Sequence, residues 1–525
     1  MKGDGGALAL VLHAHLPYVR SAQPGSLEED WFFQALLECY LPLLTVLETA
    51  ASDAQQAPRL TVGLSPTLLS LLSDPELSQR FPGWLNARLD LLPLADPSLR
   101  SAADHLADRI RQQRQSWIDC EGDLIGRFAA LQKTGVVDLL TCGATHGYLP
   151  LLRQNPEAVR GQLRTAVREH QRLVGERPLG IWLPECAYYE GLDGWMRDAG
   201  LRYAVLDGHG LLHARPRPRY GVYAPICSRN GVAFFGRDSE ATLPVWSAKD
   251  GYPGHPAYRE FHRDLGWDLP LEALQPLGLD APRPLSLKLH RVTDHAVALD
   301  GKQPYDPEVA ARQIQIHARD YLAGRRRQLD RLKQAMTSAD PLLVAPFDAE
   351  LFGHWWFEGP TFLGELFRQG PEQAIRFTRL RDILEAQPNL QLCDPSPSSW
   401  GQGGFHNYWL NETNAWIVPE WERAGAAMVQ RCSRGVGSEQ SLAYLKQAGR
   451  ELLLAQSSDW SFILRAGTTT DLARERVERH LGRFWTLMQA IDTGSAVNHD
   501  WLQEVEADDR LFPLIQPSDW AKVGG

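Results

Sequence analysis

The sequence lacks the features that mark a disulfide-stapled, cysteine-zinc or membrane-spanning protein. Its 525 residues contain seven cysteines, an odd number, and no C-x-x-C pair. This pattern argues against a disulfide framework and a cysteine-type zinc site. There is no uninterrupted run of 18 apolar residues, and the N-terminal apolar stretch follows Asp4 and precedes two histidines. We therefore interpret Ala7–Leu12 as a buried strand, not a signal peptide, and expect a cytoplasmic protein with no membrane partner.

Basic residues are also fewer than acidic residues. The chain has 64 acidic and 54 basic residues, a net charge of −10. An acidic protein is a poor partner for a phosphate backbone, so we expect no nucleic-acid partner and favour a neutral ligand. No G-x-G-x-x-G motif opens a helix, which removes the usual signature of a dinucleotide cofactor. We expect no cofactor, and a monomer or weak oligomer.

The arrangement of apolar runs predicts an α/β fold. Seven short apolar or β-branched runs alternate with amphipathic helical stretches, which indicates crossover connections and parallel strands. Seven strands suffice to close a barrel, although an open doubly wound sheet fits the same pattern. The candidate strands are Leu8–Leu12, Leu60–Gly63, Val136–Thr141, Leu179–Leu183, Tyr203–Leu206, Leu285–Leu289 and Leu342–Pro346.

The same pattern divides the chain into two domains. We assign residues 1–400 to the strand-containing domain, with insertions at about 67–132 and 190–275. The first insertion is helical and too long for one crossover, whereas the second is rich in Pro, Gly and aromatic residues. Residues 401–525 show helical patterns only and are expected to form an all-α C-terminal domain.

Two carboxylates follow candidate strands and point to glycoside chemistry. Glu185 comes after the run ending at Leu183, and Asp348 follows Leu342–Pro346. In a barrel of parallel strands the active site forms where strands end. Paired carboxylates there could cleave a glycosidic bond, one attacking or stabilising the anomeric carbon and the other protonating the leaving oxygen. Either residue could instead be a helix N-cap.

Histidines at other strand ends leave several interpretations open. His13 and His15 form an H-x-H pair that could ligate a metal together with His146, His290 and Asp348. Alternatively, one histidine bonds a substrate hydroxyl while the other packs, or both are simply buried. We favour a site without metal. Asp459 either caps a helix or reaches the cleft and bonds substrate hydroxyls.

Aromatic residues in loop-like sequence favour a carbohydrate groove. Sugar rings pack their C–H faces on Trp and Tyr. Core packing is the alternative for any single member. The candidates are Trp246, Tyr252, Trp267, Trp355, Trp356, Trp400, Trp409 and Trp416.

Five motifs in order resemble glycoside hydrolase family 57, in particular its 1,4-α-glucan branching enzymes. They are HAHLPY at 13–18, GATHGY at 143–148, WLPECAY at 182–188, APFDAELFGHWW at 345–356 and SSDWSF at 457–462. The resemblance implies a (β/α)7 barrel with a helical insertion, followed by a helical C-terminal domain. It also implies a retaining double displacement on an α-glucan such as amylose or glycogen, without metal.

Carried over by position, the resemblance assigns roles to individual residues. Glu185 matches the nucleophile and Asp348 the general acid/base. His13, His146, His354 and Asp459 match positions around the donor sugar, and Trp267, Trp400 and Trp409 match glucan-stacking residues. Branching enzymes of the family carry a tyrosine on a mobile loop over the cleft. The corresponding segment here, about 209–245, contains only Tyr220 and Tyr223, and we predict that Tyr223 lines the substrate cleft.

Several functions therefore compete. A branching enzyme is the first hypothesis, and an α-amylase or 4-α-glucanotransferase of the same family is the second. A metal-dependent deacetylase or amidohydrolase built on His13 and His15, and a non-catalytic glucan-binding protein, are alternatives of different classes.

Overall fold

Seven parallel strands enclose the centre of the N-terminal domain. The computed structural model describes residues 6–21, 24–53, 57–247 and 249–522. Its strands fall into two sheets, in the orders β3-β2-β1-β8 and β4-β5-β7-β6-β9. The strands are β1 (Ala7–Ala14), β2 (Leu60–Leu64), β3 (Val137–Leu140), β4 (Gly180–Ile181), β5 (Tyr203–Leu206), β6 (Ile226–Cys227), β7 (Ala233–Gly236), β8 (Leu342–Asp348) and β9 (Gln391–Leu392).

Backbone hydrogen bonds join the two sheets at both seams. The Trp182 N–H donates to the Thr141 carbonyl (2.8 Å) between β3 and β4, and the Asp238 N–H donates to the Val344 carbonyl (2.9 Å) between β7 and β8. Strands β1, β2, β3, β4, β5, β7 and β8 therefore close into a ring, and the predicted (β/α)7 barrel is confirmed. Short β6 pairs antiparallel with β7, and β9 extends that edge.

Strand β1 shows why this sequence forms a central parallel strand. Every residue of its ALALVLHA sequence is buried, as expected for a barrel strand with one face in the packed interior and the other covered by helices. It pairs with β2 and β8 in parallel register, and His13 lies opposite Asp348. The ends of β1 and β8 therefore lie side by side.

One predicted strand is wrong. Leu285, Leu287 and Leu289 are buried, which gives residues 285–289 a strand-like alternation. However, the backbone N–H groups of Leu285 and Leu287 bond to the Asp264 carboxylate, and Ser286 has a left-handed φ of 63°. A side chain thus replaces the neighbouring strand as hydrogen-bond partner. The seventh barrel strand is instead β7, only four residues long. Because β5 and β7 both lie within 190–275, that range is not one insertion.

The helices surround the barrel and form the C-terminal region. Four of them (Pro66–Leu72, Pro75–Leu91, Arg100–Asp119 and Leu124–Lys133) occupy the predicted helical insertion. The other α-helices before residue 400 are Leu27–Ala35, Leu41–Ser52, Leu149–Leu152, Pro156–Val174, Leu192–Asp198, Gly208–Leu212, Ser239–Trp246, Leu271–Leu274, Pro307–Ala335, Gly359–Gln369 and Leu380–Ala386. The C-terminal α-helices are Ile417–Ser433, Glu439–Ala455, Ser458–Ala466, Thr470–Thr493 and His499–Asp508.

A long apolar helix near the N-terminus contains an unusual turn. Helix Leu27–Ser52 is the one helix among the described residues that is long and apolar enough to cross a membrane, by length and composition only. Two-thirds of its apolar window (67%) is buried inside the fold, which is typical of a core helix. Its middle, Leu36–Tyr40, is a π-helix. Such turns are rare and often occur at functional sites.

Candidate active site

The four predicted strand-end motifs meet at the same end of the barrel. His13 and Asp348 lie side by side at the ends of β1 and β8. The His13 Nε2 atom is 3.1 Å from Nε2 of His146, in the motif after β3, and His146 Nδ1 is 3.8 Å from the Glu185 carboxylate, after β4. The four motifs therefore lie around one site, with Asp348 next to His13 in the sheet and Glu185 near His146.

Glu185 sits on a strained turn that aims its carboxylate into the cleft. It belongs to the 3₁₀ turn Pro184–Cys186 and has a left-handed backbone, with φ 62° and ψ 25°. A non-glycine residue in this region costs on the order of 1–3 kcal/mol, a cost that folds retain mainly at functional sites. Trp400 Nε1–H donates to Glu185 Oε2 (2.8 Å), and the Ser458 hydroxyl lies 3.5 Å from Oε1.

Three imidazoles stack beside Glu185. The rings of His15 and His146 are 3.9 Å apart at 13°, and His13 stacks on Trp182 at 4.8 Å. Burial lowers the pKa values of both His13 and His146, and neighbouring histidines lower them further. We therefore expect His13 and His146 to be neutral near pH 7, with their Nε2 atoms sharing a hydrogen bond.

The C-terminal region completes the cleft. The Ser458 N–H donates to the His146 carbonyl (3.2 Å), at the start of helix Ser458–Ala466. The next residue, Asp459, accepts hydrogen bonds from His15 Nε2 (3.2 and 3.1 Å) and from the Ser457 hydroxyl (2.5 Å). Burial raises the pKa of Asp459, but the charge and hydrogen bond of His15 outweigh it and lower the pKa to about 2. Asp459 is thus a permanent anion in the cleft.

The environments of Glu185 and Asp348 both raise the pKa of the carboxyl group, but the two residues differ in their hydrogen bonds. Burial raises the pKa of Glu185 to about 8, opposed by the Trp400 hydrogen bond and reinforced by the charge of Asp348. Burial also raises the pKa of Asp348 strongly, and the charge of Glu350 adds to it. The charge of Arg237 opposes this rise, and within the described ranges no donor is hydrogen-bonded to the Asp348 carboxyl group. Both shifts favour the protonated form, but the Trp400 N–H donor stabilises the anion of Glu185, so we expect Glu185 to be the group that ionises first.

A third buried carboxyl group, which the sequence analysis missed, supports the Asp348 turn. Glu350 Oε1 accepts hydrogen bonds from the Tyr40 hydroxyl (2.5 Å) and from the His15 backbone N–H (3.1 Å). Burial raises its pKa to about 7, while the Tyr40 hydrogen bond opposes this rise. Its position two residues after Asp348 was visible in the sequence, but its partner Tyr40 was not.

The π-helix explains how Tyr40 and its neighbours reach this turn. Within Leu36–Tyr40, the Cys39 thiol contacts the Ala349 carbonyl (3.0 Å), and the Glu38 carboxylate bonds to His354 Nδ1 (2.6 Å). Gly353 has φ 122°, and a Cβ there would stand 1.8 Å from the Glu38 carbonyl oxygen, so only glycine fits. The wider turn of the π-helix thus lets the consecutive side chains of Glu38, Cys39 and Tyr40 all contact the loop at 349–354.

The remaining predicted site residues lie in different settings. Trp267 and Trp355 are half-exposed, at 50% and 45%, and available to a ligand. Trp409 is buried and stacks on Tyr148 at 4.5 Å, so it supports the cleft wall in this structure. His354 is held by Glu38, as described above.

Tyr223 does not join the site. Its carbonyl accepts a hydrogen bond from the N–H of Leu342, the first residue of β8, whereas Asp348 is the last. At about 3.3 Å per residue, the two ends of β8 are about 20 Å apart. The prediction that Tyr223 lines the substrate cleft is wrong, because the chain after β5 runs down to the opposite end of the barrel before β7 returns.

The candidate metal ligands are engaged with one another. Two groups of potential ligands lie at this site, His13 with Cys142 and His146, and His15 with His146 and Asp459. His13 Nε2 is hydrogen-bonded to His146 Nε2, and His15 Nε2 to Asp459. This pairing fits a hydrogen-bonded sugar site, and the absence of a catalytic metal stays a prediction.

Comparisons with known proteins agree with this geometry. A family model described as glycosyl hydrolase family 57 matches residues 9–266, and one described as the C-terminal region of 1,4-alpha-glucan branching enzyme matches residues 420–520. A 1,4-alpha-glucan branching enzyme of Thermococcus kodakarensis is 31% identical, covering 97% of this chain and 78% of that protein.

Solved structures are similar over the whole length. An alpha-amylase from Thermotoga maritima has a TM-score of 0.91 and 33% identity, covering 99% of this chain and 100% of its own. A GH57-type branching enzyme from Pyrococcus horikoshii has a TM-score of 0.88 and 28% identity, covering 99% and 97%. On these matches and on the motifs assembled at the barrel end, the chain belongs to glycosyl hydrolase family 57.

Proposed function

We propose that this protein is a 1,4-α-glucan branching enzyme that acts by retaining double displacement. The observation that carries the proposal is the pair of partly buried carboxyl groups, Glu185 and Asp348, held at one barrel end with raised pKa values, the first of them accepting a hydrogen bond from Trp400. Similarity to branching enzymes along nearly the whole chain supports the substrate class.

The two residues divide the chemistry between them. The Glu185 carboxylate attacks the anomeric carbon of an α-1,4-glucan, while Asp348 gives its proton to the departing oxygen, leaving a glucosyl ester on Glu185. Asp348, now ionised, removes the proton from the 6-hydroxyl of a second glucan segment. That oxygen attacks the anomeric carbon, Glu185 is released, and an α-1,6 branch results.

Hydrolysis is the second candidate function. Water attacking the same intermediate would give α-amylase activity, so only the acceptor distinguishes the two outcomes. The structural similarity to the alpha-amylase of Thermotoga maritima favours this alternative specifically.

The product of amylose digestion separates the two functions. We expect the purified protein to form α-1,6 linkages, counted by proton NMR or debranching, in excess of new reducing ends. New reducing ends without branches would instead establish an amylase.

A chelator tests the metal-dependent alternative. We expect the activity to be unchanged after treatment with a chelator, and a loss of activity that a divalent metal restores would favour that alternative.

Removal of the Tyr40 hydroxyl is expected to change the pH dependence of this activity. In Tyr40→Phe the pKa of Glu350 rises above about 7 because a stabilising donor is lost, so Glu350 carries less negative charge near neutral pH. The pKa of Asp348 then falls. Because the general acid must be protonated, the alkaline limb of kcat/KM moves to lower pH, by up to about one unit.

A matched variant controls for the loss of a buried hydroxyl. Tyr321 is equally buried and donates to the Ala241 carbonyl (3.0 Å), away from the catalytic carboxyl groups. We expect Tyr321→Phe to leave the pH profile in place. A profile of Tyr40→Phe that superposes on that of the unmodified protein would refute the coupling between Glu350 and Asp348.

A further inference from the structure

We infer that Tyr408 and Phe462 form an aromatic platform that binds a glucose unit of the α-glucan outside the catalytic subsite. This inference rests on the proposed function for the class of ligand. Neither residue was assigned a role by the sequence analysis. The two rings lie 4.7 Å apart, with 32° between their planes.

Both rings belong to segments that also contact Glu185. Trp400, which donates to Glu185 Oε2, begins the stretch that reaches Tyr408, and Ser458, whose hydroxyl is 3.5 Å from Oε1, begins the helix that carries Phe462. Tyr408 and Trp400 pack against the same hydrophobic cluster, formed by Tyr148, Ala187 and Trp409. The platform is therefore continuous with the wall of the cleft.

Phe462 lies on the same helix face as Ser458 and Asp459, the two residues of this helix that reach the site. Residues three and four positions apart share a helix face, so Phe462 follows Ser458 and Asp459 on the same side. At 1.5 Å rise per residue, Phe462 lies about 6 Å further along the axis than Ser458, on the order of one sugar ring. Exposure increases in this direction, from the buried Ser458 to Phe462, which is 44% exposed.

A buried asparagine fixes the platform in advance of binding. The Asn414 side-chain amide donates to the carbonyls of Tyr408 and of Ser461, the residue before Phe462, at 3.0 Å each. Asn414 is fully buried, and one amide group thus clamps the two segments together. Aromatic rings held in this way bind a sugar face at little cost in conformational entropy, which is why such platforms suit neutral carbohydrates.

Binding of maltooligosaccharides tests the platform. The measurements use proteins carrying Glu185→Gln, so that the ligand is not consumed. Affinity is measured calorimetrically as the oligosaccharide is lengthened one glucose at a time. We expect Phe462→Ala to weaken binding about two- to tenfold, but only for oligosaccharides long enough to reach the platform. Short oligosaccharides should bind unchanged.

Two further variants make the result specific. Phe462→Tyr keeps a ring and should retain the affinity for long oligosaccharides, whereas Tyr408→Ala should reproduce the loss. Ile118, equally exposed at 44% on the helical insertion, supplies a control, and Ile118→Ala should change nothing. In the active protein, Phe462→Ala should raise the KM for amylose and leave kcat unchanged.

The outcomes distinguish the platform from the proposed function. If Phe462→Ala binds oligosaccharides of every length as tightly as the parent protein, the platform is refuted, even where amylose is branched normally. If affinity falls equally for short and long oligosaccharides, Phe462 shapes the catalytic subsite and the platform is again refuted. If the unmodified protein does not act on amylose at all, the proposed function fails instead.

Discussion

Replacement of Glu185 by glutamine should abolish nearly all turnover while leaving glucan binding in place. Glutamine has the size of glutamate and keeps an oxygen that can accept from Trp400 Nε1, so the turn at 184–186 should persist. It cannot form the covalent ester with the anomeric carbon. Loss of a nucleophile that acts in concert with its partners costs about 10³- to 10⁶-fold in kcat. The measurement is the rate of α-1,6 linkage formation from amylose.

The exposed glutamate Glu176, in the loop before β4, offers a matched control. Glu176→Gln should leave the rate unchanged. A Glu185→Gln protein that branches amylose at a rate close to that of the parent would show that the enzyme reading of this site is wrong and would favour a non-catalytic glucan-binding protein.

Replacement of Asp348 by asparagine should give a different kinetic signature. General acid/base catalysis contributes about 10²- to 10⁴-fold, so action on amylose should fall by that factor. A maltosyl fluoride needs no protonation of its leaving group, and azide needs no base. Supplying both should therefore restore turnover and give an azide product that retains the α configuration.

Asp108 provides the comparison for Asp348. It forms an exposed ion pair with Arg111, and Asp108→Asn should behave as the parent protein with every substrate. If Asp348→Asn is as slow with maltosyl fluoride and azide as with amylose, Asp348 does not act as the acid/base, and the role would have to pass to Glu350.

The sequence predicted the parts of the site that follow from strand ends. Polar residues directly after apolar runs, such as His13 and Asp348, must meet at one end of a parallel barrel, and the structure brings them together. The barrel itself could be predicted because strands buried on both faces have continuous apolar runs, as in β1. The order of the five motifs along the chain indicated the resemblance to family 57, and that resemblance assigned roles to individual residues.

Contacts made by irregular backbone could not be predicted. The π-helix that turns Tyr40 towards Glu350 leaves no pattern in a sequence that otherwise reads as a continuous apolar helix. Residues 285–289 alternate like a strand, but the Asp264 carboxylate takes the place of a neighbouring strand. The resemblance suggested Tyr223 as a cleft residue because the segment 209–245 corresponds to the family's mobile loop, but the path of that segment depends on tertiary contacts that the sequence does not show.

The central claim is that Glu185 becomes covalently attached to the sugar while Asp348 delivers and removes the proton. The most direct measurement uses a fluorinated glycosyl fluoride that forms the intermediate faster than it releases it, followed by digestion and mass spectrometry. We predict one glycosyl group on the peptide that contains Glu185. A label on Asp348 or Glu350, or no label together with a product of inverted configuration, would contradict this mechanism.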